Sequence, residues 1–155
     1  MLPALYFQQM GEYSGFLNHS EHRIMYRNKT YPSAAHLWEA MKYLDRRPDL
    51  AEMIRMCADF GELFQLTSSE AFRKEERRDW AKVFLKVLED VVLRKFRQHP
   101  DLRSLLLGTG HAPLVYSDTR DGYWGDGPMG SGTNHLGKVL QVVRDRLRNE
   151  REPHA

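Results

Sequence analysis

Residues 79–98 read DWAKVFLKVLEDVVLRKFRQ, and the reading of this stretch decides the fold. Trp80, Val83, Phe84, Val87, Leu88, Val91 and Phe96 recur at the three-and-four spacing of one helical face. Asp79 stands where an N-cap belongs, and His99-Pro100 ends the run because proline cannot extend the hydrogen-bond ladder. The stretch therefore predicts a long core helix.

Working outward, a short helix is expected to carry Leu102, Leu105 and Leu106, with Gly108 closing it. Residues 113–117, PLVYS, form a strand candidate. Asn134 is placed to cap a last helix carrying Leu136, Val139, Leu140, Val143 and Leu147. Upstream, RIMYRNKTY at 23–31 reads as a small hairpin, with Ile24 and Tyr26 alternating, Arg27-Asn28-Lys29 turning and Tyr31 returning. Ser33 caps a predicted helix to about Asp45, with Leu37, Trp38, Met41 and Leu44 on one face. Pro48 suits the first turn of another helix, which carries Leu50, Met53 and Ile54. Residues 58–77 suggest one short helix and a charged loop. The expected fold is mainly α: a single compact multihelical domain, residues 1–155, with a small N-terminal β-hairpin.

Composition narrows the classes. The 155 residues are 41% hydrophobic and 28% charged, as in ordinary globular proteins. No apolar run approaches the ~20 residues of a membrane helix. The opening MLPALYFQQMGEY has no basic start followed by a long apolar run, so no signal peptide is expected. The single cysteine, Cys57, excludes an internal disulfide and fits a reducing interior; an intracellular protein, cytoplasmic or nuclear, is expected. A net charge of +2 argues against extensive sequence-specific DNA binding. RKEERR and RDRLRNER read as solvated helix faces.

The second informative stretch is DGYWGDGPMGSGTNHLGK, residues 121–138, which holds six of the eleven glycines. Gly125–Gly130 spells a dinucleotide fingerprint, but Pro128 interrupts it and no βαβ unit surrounds it. Gly132–Lys138 resembles a P-loop, but Val139 stands where Ser or Thr would hold magnesium. His36 and Glu39 are spaced as two metal ligands could be, yet His19, His22 and His111 offer no partner spacing. No metal and no cofactor are expected. What remains is physical: glycine-loop N–H groups ahead of a helix N-terminus suit an anion. Tyr123 and Trp124 offer stacking faces, and Asp121 and Asp126 offer acceptors for sugar hydroxyls. A nucleotide-like ligand and a rigid turn with a core tryptophan both fit.

Several blocks in order are similar to the NADAR, or YbiA-like, family. They are YSGF at 13–16, KTYPSAAHLWEAMKY at 29–43, RRDWAKV at 77–83, VLRKFRQHPDLRSLLLGTG at 92–110 and LVYSDTRDGYWGDGPMGSGTNHLGKVLQVVRDRL at 114–147. The resemblance spans about residues 13–148. It implies a mainly α fold and an N-glycosidase, a hydrolase of N-glycosidic bonds. The implied substrate is ADP-ribose on guanine, in nucleotide or nucleic acid; in some members it is a phosphoribosyl intermediate of riboflavin synthesis. Asp121 and Trp124 fall on the family's catalytic segment. Trp80, Tyr123, Asp126, Gly130, Gly132 and Asn134 are the expected substrate-binding residues.

The pattern breaks at Ala35, where the family has a glutamate before the helix histidine. Alanine can neither activate water nor stabilise a cation, and the lost help is typically worth 10²–10⁴-fold. Gly15 and Tyr116 also depart, from an asparagine and an acid. Three accounts fit Ala35. It is an inactivating substitution that lets intact substrate be trapped, which is favoured; the chain is a natural non-catalytic module binding ADP-ribose; or Glu39, one turn on, is a surrogate acid.

Overall fold

The computed structural model describes residues 2–150. It is mainly α, as expected, with strands of only three residues. In chain order the elements are β1 (Leu5–Phe7), β2 (Ile24–Tyr26), β3 (Lys29–Tyr31), α1 (Ala34–Ala40), α2 (Pro48–Arg55), α3 (Phe60–Thr67) and α4 (Glu70–Arg73). After these come α5 (Trp80–Gln98), α6 (Pro100–Gly108), β4 (Leu114–Tyr116) and α7 (His135–Asn149). Two compact units form: Met1–Leu17 together with His99–Ala155, and Asn18–Gln98.

In the first unit β1 and β4 pair in parallel, with Leu5 opposite Leu114 and Phe7 opposite Tyr116. The sequence named β4 as a strand but not its partner β1. Phe7 stacks on Tyr116 at 5.6 Å. The other edge of β4 is held from α7 and the residue ahead of it: Gln141 Oε1 accepts the Leu114 N–H at 2.8 Å, and Asn134 bonds Leu114 and Tyr116. Such cover satisfies a strand edge that would otherwise be open. Leu136, Val139, Leu140, Val143 and Leu147 are buried, as the periodicity predicts. Gly108 ends α6 from inside the helix, and Gly110, at φ 65°, makes the left-handed turn instead.

In the second unit β2 and β3 form the expected hairpin. Its turn is two residues, Arg27 and Asn28, both at positive φ as a tight hairpin turn requires; Lys29 already belongs to β3. Ser33 caps α1 by accepting the His36 N–H. The helix stops at Ala40 rather than near Asp45; turns come after it, with Tyr43 N–H donating to the Ala40 carbonyl. Pro48 opens α2, whose Leu50, Ala51 and Ile54 are buried while Met53 is exposed. Residues 58–77 hold two short helices, α3 and α4. The apolar stripe of α5 is fully buried only from Leu88 onward; Trp80, Val83, Phe84 and Val87 are half-buried. Each fully buried Leu or Ile stabilises this core by about 1.5–3 kcal/mol.

His36 settles as a core histidine. Nδ1 pairs with Ser33 Oγ at 2.7 Å and Nε2 with the Cys57 carbonyl at 3.1 Å, and burial pulls its pKa down. Cys57 is buried too.

Candidate active site

Asp121, Tyr123, Trp124, Asp126, Gly130, Gly132 and Asn134 lie in the first unit, between β4 and α7. The Asp121 carboxylate opens a tight turn, with Oδ1 accepting the N–H of Tyr123 at 3.1 Å and of Trp124 at 2.8 Å. An aspartate two and three residues before the groups it caps does this readily. Trp124 is half-buried and meets Tyr123 edge-on at 4.9 Å. Tyr123 in turn lies against the His135 imidazole at 4.3 Å, an aromatic partner the sequence reading did not name. Asp126 Oδ1 accepts the Asp118 N–H at 3.0 Å, so this acid braces the loop.

The N–H groups expected to hold an anion ahead of α7 are bonded within the chain. The N–H groups of Thr133, Asn134, His135 and Leu136 donate to the carbonyls of Gly122, Gly125, Tyr123 and Trp124, at 2.9–3.1 Å. Gly132 N–H donates to the Asp126 carbonyl at 2.5 Å, and Gly130 N–H to Gly127 at 3.4 Å. The donors ahead of α7 are thus spent on the loop itself. Asn134 occupies the N-cap position in a left-handed conformation, φ 52°, but its side chain does not cap α7. Both ends of that amide hold β4.

The glycines have a packing role. A side chain at Gly137 would collide with the Leu114 carbonyl, and one at Gly132 would come 2.6 Å from the Gly125 carbonyl. Loop, strand and helix backbones approach one another more closely than a Cβ allows.

Ala35, Glu39 and Trp80 lie in the second unit. Ala35 is 4% exposed on the first turn of α1, with its N–H donating to the Asn18 carbonyl at 2.8 Å. The Asn18 side-chain Oδ1 is buried and, among the described residues, has no hydrogen-bond partner. Glu39 is 17% exposed and ion-paired to Lys42 Nζ at 2.8 Å; Lys42 also reaches Glu76 at 3.1 Å. The Lys42 ammonium sits 5.6 Å from the Trp80 ring, and Trp80 lies 5.6 Å from Trp38. Trp38 Nε1 donates to the Phe84 carbonyl at 3.0 Å. Two carboxylates, a lysine and two tryptophans thus form one half-buried cluster. Glu39 and Trp80 stand out in the sequence and Lys42 does not, although the Glu39–Lys42 spacing of three is that of a helical ion pair. Among the described residues no group of three or more metal-binding side chains occurs. No helix there is long and apolar enough to cross a membrane.

Known proteins resemble this chain in sequence and in fold. The N-glycosidase YbiA of Escherichia coli is 33% identical over 146 residues, covering 94% of this chain and 89% of YbiA. An N-glycosidase of Nostoc punctiforme is 33% identical over 148 residues, covering 94% of each chain. A riboflavin biosynthesis protein of Vibrio vulnificus is 34% identical over 148 residues, which are 95% of this chain and 39% of that relative. The solution structure of E. coli YbiA superposes with a TM-score of 0.76 at 28% identity, covering 100% of this chain and 94% of YbiA. The sequence pattern of the NADAR domain matches residues 2–148. With near-complete coverage in both sequence and fold, the chain belongs to the NADAR domain family.

Proposed function

We propose that this protein has the site of an N-glycosidase for ADP-ribose attached to guanine, and that Ala35 leaves it able to bind but not to turn over substrate. Hydrolysis would break the bond between ribose C1 and nitrogen through an oxocarbenium-like state. Water adds to C1, the nitrogen leaves with a proton, and the products are ADP-ribose and the freed guanine. Such chemistry needs a carboxylate to steady the cation or activate water. The methyl group of Ala35 does neither.

The observation that carries the inactive reading is the state of the neighbouring acid. Glu39, one turn along α1, has its buried Oε2 2.8 Å from Lys42 Nζ, an ion pair by distance that lacks hydrogen-bond alignment. A one-turn displacement, ~5–6 Å, is large against the ~1 Å tolerance of catalytic positioning. The surrogate-acid account is therefore not favoured. The names of the E. coli and Nostoc relatives support the N-glycosidic bond as the target. The Vibrio relative's name favours one second reading, a phosphoribosyl intermediate of riboflavin synthesis as substrate.

Calorimetric titration of the unaltered chain with ADP-ribosylguanosine tests the proposal. Binding without release of ADP-ribose supports it, whereas no binding contradicts it. Tight binding of a phosphoribosyl-pyrimidine in its place would select the second reading.

A further inference from the structure

The second unit turns apolar side chains outward where α2 runs into α3. Met53 and Met56 are three apart at the end of α2, and Phe60 and Phe64 are four apart on α3. All four are exposed, Met56 by 68% and Phe64 by 61%. The two helices pack together and only residues 56–59 separate them. The phenylalanine rings lie 6.3 Å apart, and the His19 ring rests on Phe60 at 5.0 Å. Within α3 only Leu63 is fully buried, so the phenylalanines are not committed to this unit's own core. Single apolar side chains on a surface are ordinary, whereas phenylalanine and methionine gathered at helical spacing have the composition of an interface.

The charge beside them has one sign. Residues 56–72 hold three acids, Asp59, Glu62 and Glu70, and no lysine, arginine or histidine, in a chain with 23 lysines and arginines. Asp59 and Glu62 stand on either side of Phe60 in sequence and close a reciprocal helix cap. Asp59 Oδ1 accepts the Glu62 N–H at 2.9 Å, and Glu62 Oε2 accepts the Ala58 N–H at 3.0 Å. This arrangement fixes both exposed carboxylates at the surface. Neither makes an ion pair among the described residues, so their charge is left for something outside the chain.

That charge selects the occupant. Nucleic-acid phosphates and anionic lipid headgroups would face two uncompensated carboxylates, and a twofold contact between copies would bring the same carboxylates together. A cationic partner gains from them instead. Apolar residues three and four apart on adjoining helices offer a helical partner matching rows, and methionine adapts to the side chains it meets. We propose that this face of α2 and α3 is a docking surface for a basic amphipathic helix of a partner protein. The apolar side chains of that helix cover Phe60 and Phe64, and its lysines or arginines meet Asp59 and Glu62.

The probe is a labelled amphipathic helical peptide of leucine and lysine, titrated into the full chain by fluorescence anisotropy. Two controls are a peptide with glutamate in place of every lysine and a scrambled leucine–lysine peptide with no apolar face. The variants are Glu62→Gln, which keeps an oxygen for the Ala58 N–H, and the double variant Phe60→Ser, Phe64→Ser; circular dichroism and thermal midpoints check folding. The leucine–lysine helix should bind more tightly than either control. The double variant should weaken it at least roughly 10-fold, and Glu62→Gln several-fold with a flatter salt dependence. Glu62→Gln decides the matter if the double variant does not fold. Absence of binding, equal binding of the scrambled peptide, or unchanged affinity in folded variants overturns the inference. So does binding to phosphatidylserine vesicles that the double variant loses, which would make the face a membrane contact. Sedimentation that shows a dimer of the unaltered chain dissolved by the double variant would assign the face to a second copy and overturn it likewise.

Discussion

Asn134 grips Tyr116 and Leu114 together: its Oδ1 accepts the Tyr116 N–H at 2.9 Å, and its Nδ2 donates to the Leu114 carbonyl at 2.9 Å. One amide at the mouth of α7 thus replaces a missing strand beside β4. Asn134→Gly keeps the left-handed backbone but removes both bonds, leaving two partly buried backbone groups without them. A loss of about 2–4 kcal/mol is expected in urea unfolding. Gly137→Ala, which drives a methyl group into the Leu114 carbonyl, should cost about 1–3 kcal/mol or more. Unchanged midpoints in both variants would show that β4 is held by other contacts.

Lys95 gives stability a distinctive pH dependence. It is 1% exposed, donates from Nζ to Ser20 Oγ at 2.9 Å, and burial lowers its pKa to about 7. Between pH 7 and the ordinary lysine value the unfolded chain binds more protons than the folded one, so stability rises with pH across that window. Below pH 7 both states are protonated at this residue and its contribution is flat. Chemical unfolding from pH 6 to 10 should show the rise in the unaltered chain and lose it in Lys95→Met. An identical profile for the two would refute the assignment.

Trp124 should contribute ligand affinity by stacking. Trp124→Ala is expected to weaken ADP-ribosylguanosine binding by roughly 5- to 150-fold, the equivalent of ~1–3 kcal/mol. Unchanged affinity would remove Trp124 from the site and leave it a packing partner of Tyr123.

Glu39 is an ion-pair partner in this account. Glu39→Gln should lower thermal stability modestly, by disturbing Lys42 and its contact with Trp80, and should not alter glycosidase turnover in an Ala35→Glu background by more than a few-fold. Loss of most turnover in the double variant would return Glu39 to the catalytic machinery.

Periodicity made α5, α7 and the β2–β3 hairpin legible in the sequence, because each buries a face whose spacing repeats over several turns or alternates around a tight turn. The early end of α1 was not legible, since its apolar positions continue through Met41 and Leu44 although the backbone leaves the helix. The strand β1 was not legible either. Three residues carry too little pattern, and its partner lies more than a hundred residues away. The glycine stretch was read for the right reason and toward the wrong neighbour. Glycine does permit close approach there, but Gly132 and Gly137 approach the chain's own carbonyls, and the N–H groups ahead of α7 answer to residues 122–126. No local pattern reveals which backbone a glycine will meet. Tyr116 shows the same limit. Its departure from an acid was visible, whereas its hydroxyl contact with Asp118, two residues on, required the fold.

The most direct test of the central claim is chromatographic release of ADP-ribose from ADP-ribosylguanosine, by the unaltered chain and by Ala35→Glu, with binding measured for both. The account predicts binding by both and turnover by the variant alone, at a rate at least 10²-fold above the unaltered chain. Equal turnover by the two chains, or binding by both with turnover by neither, would contradict it.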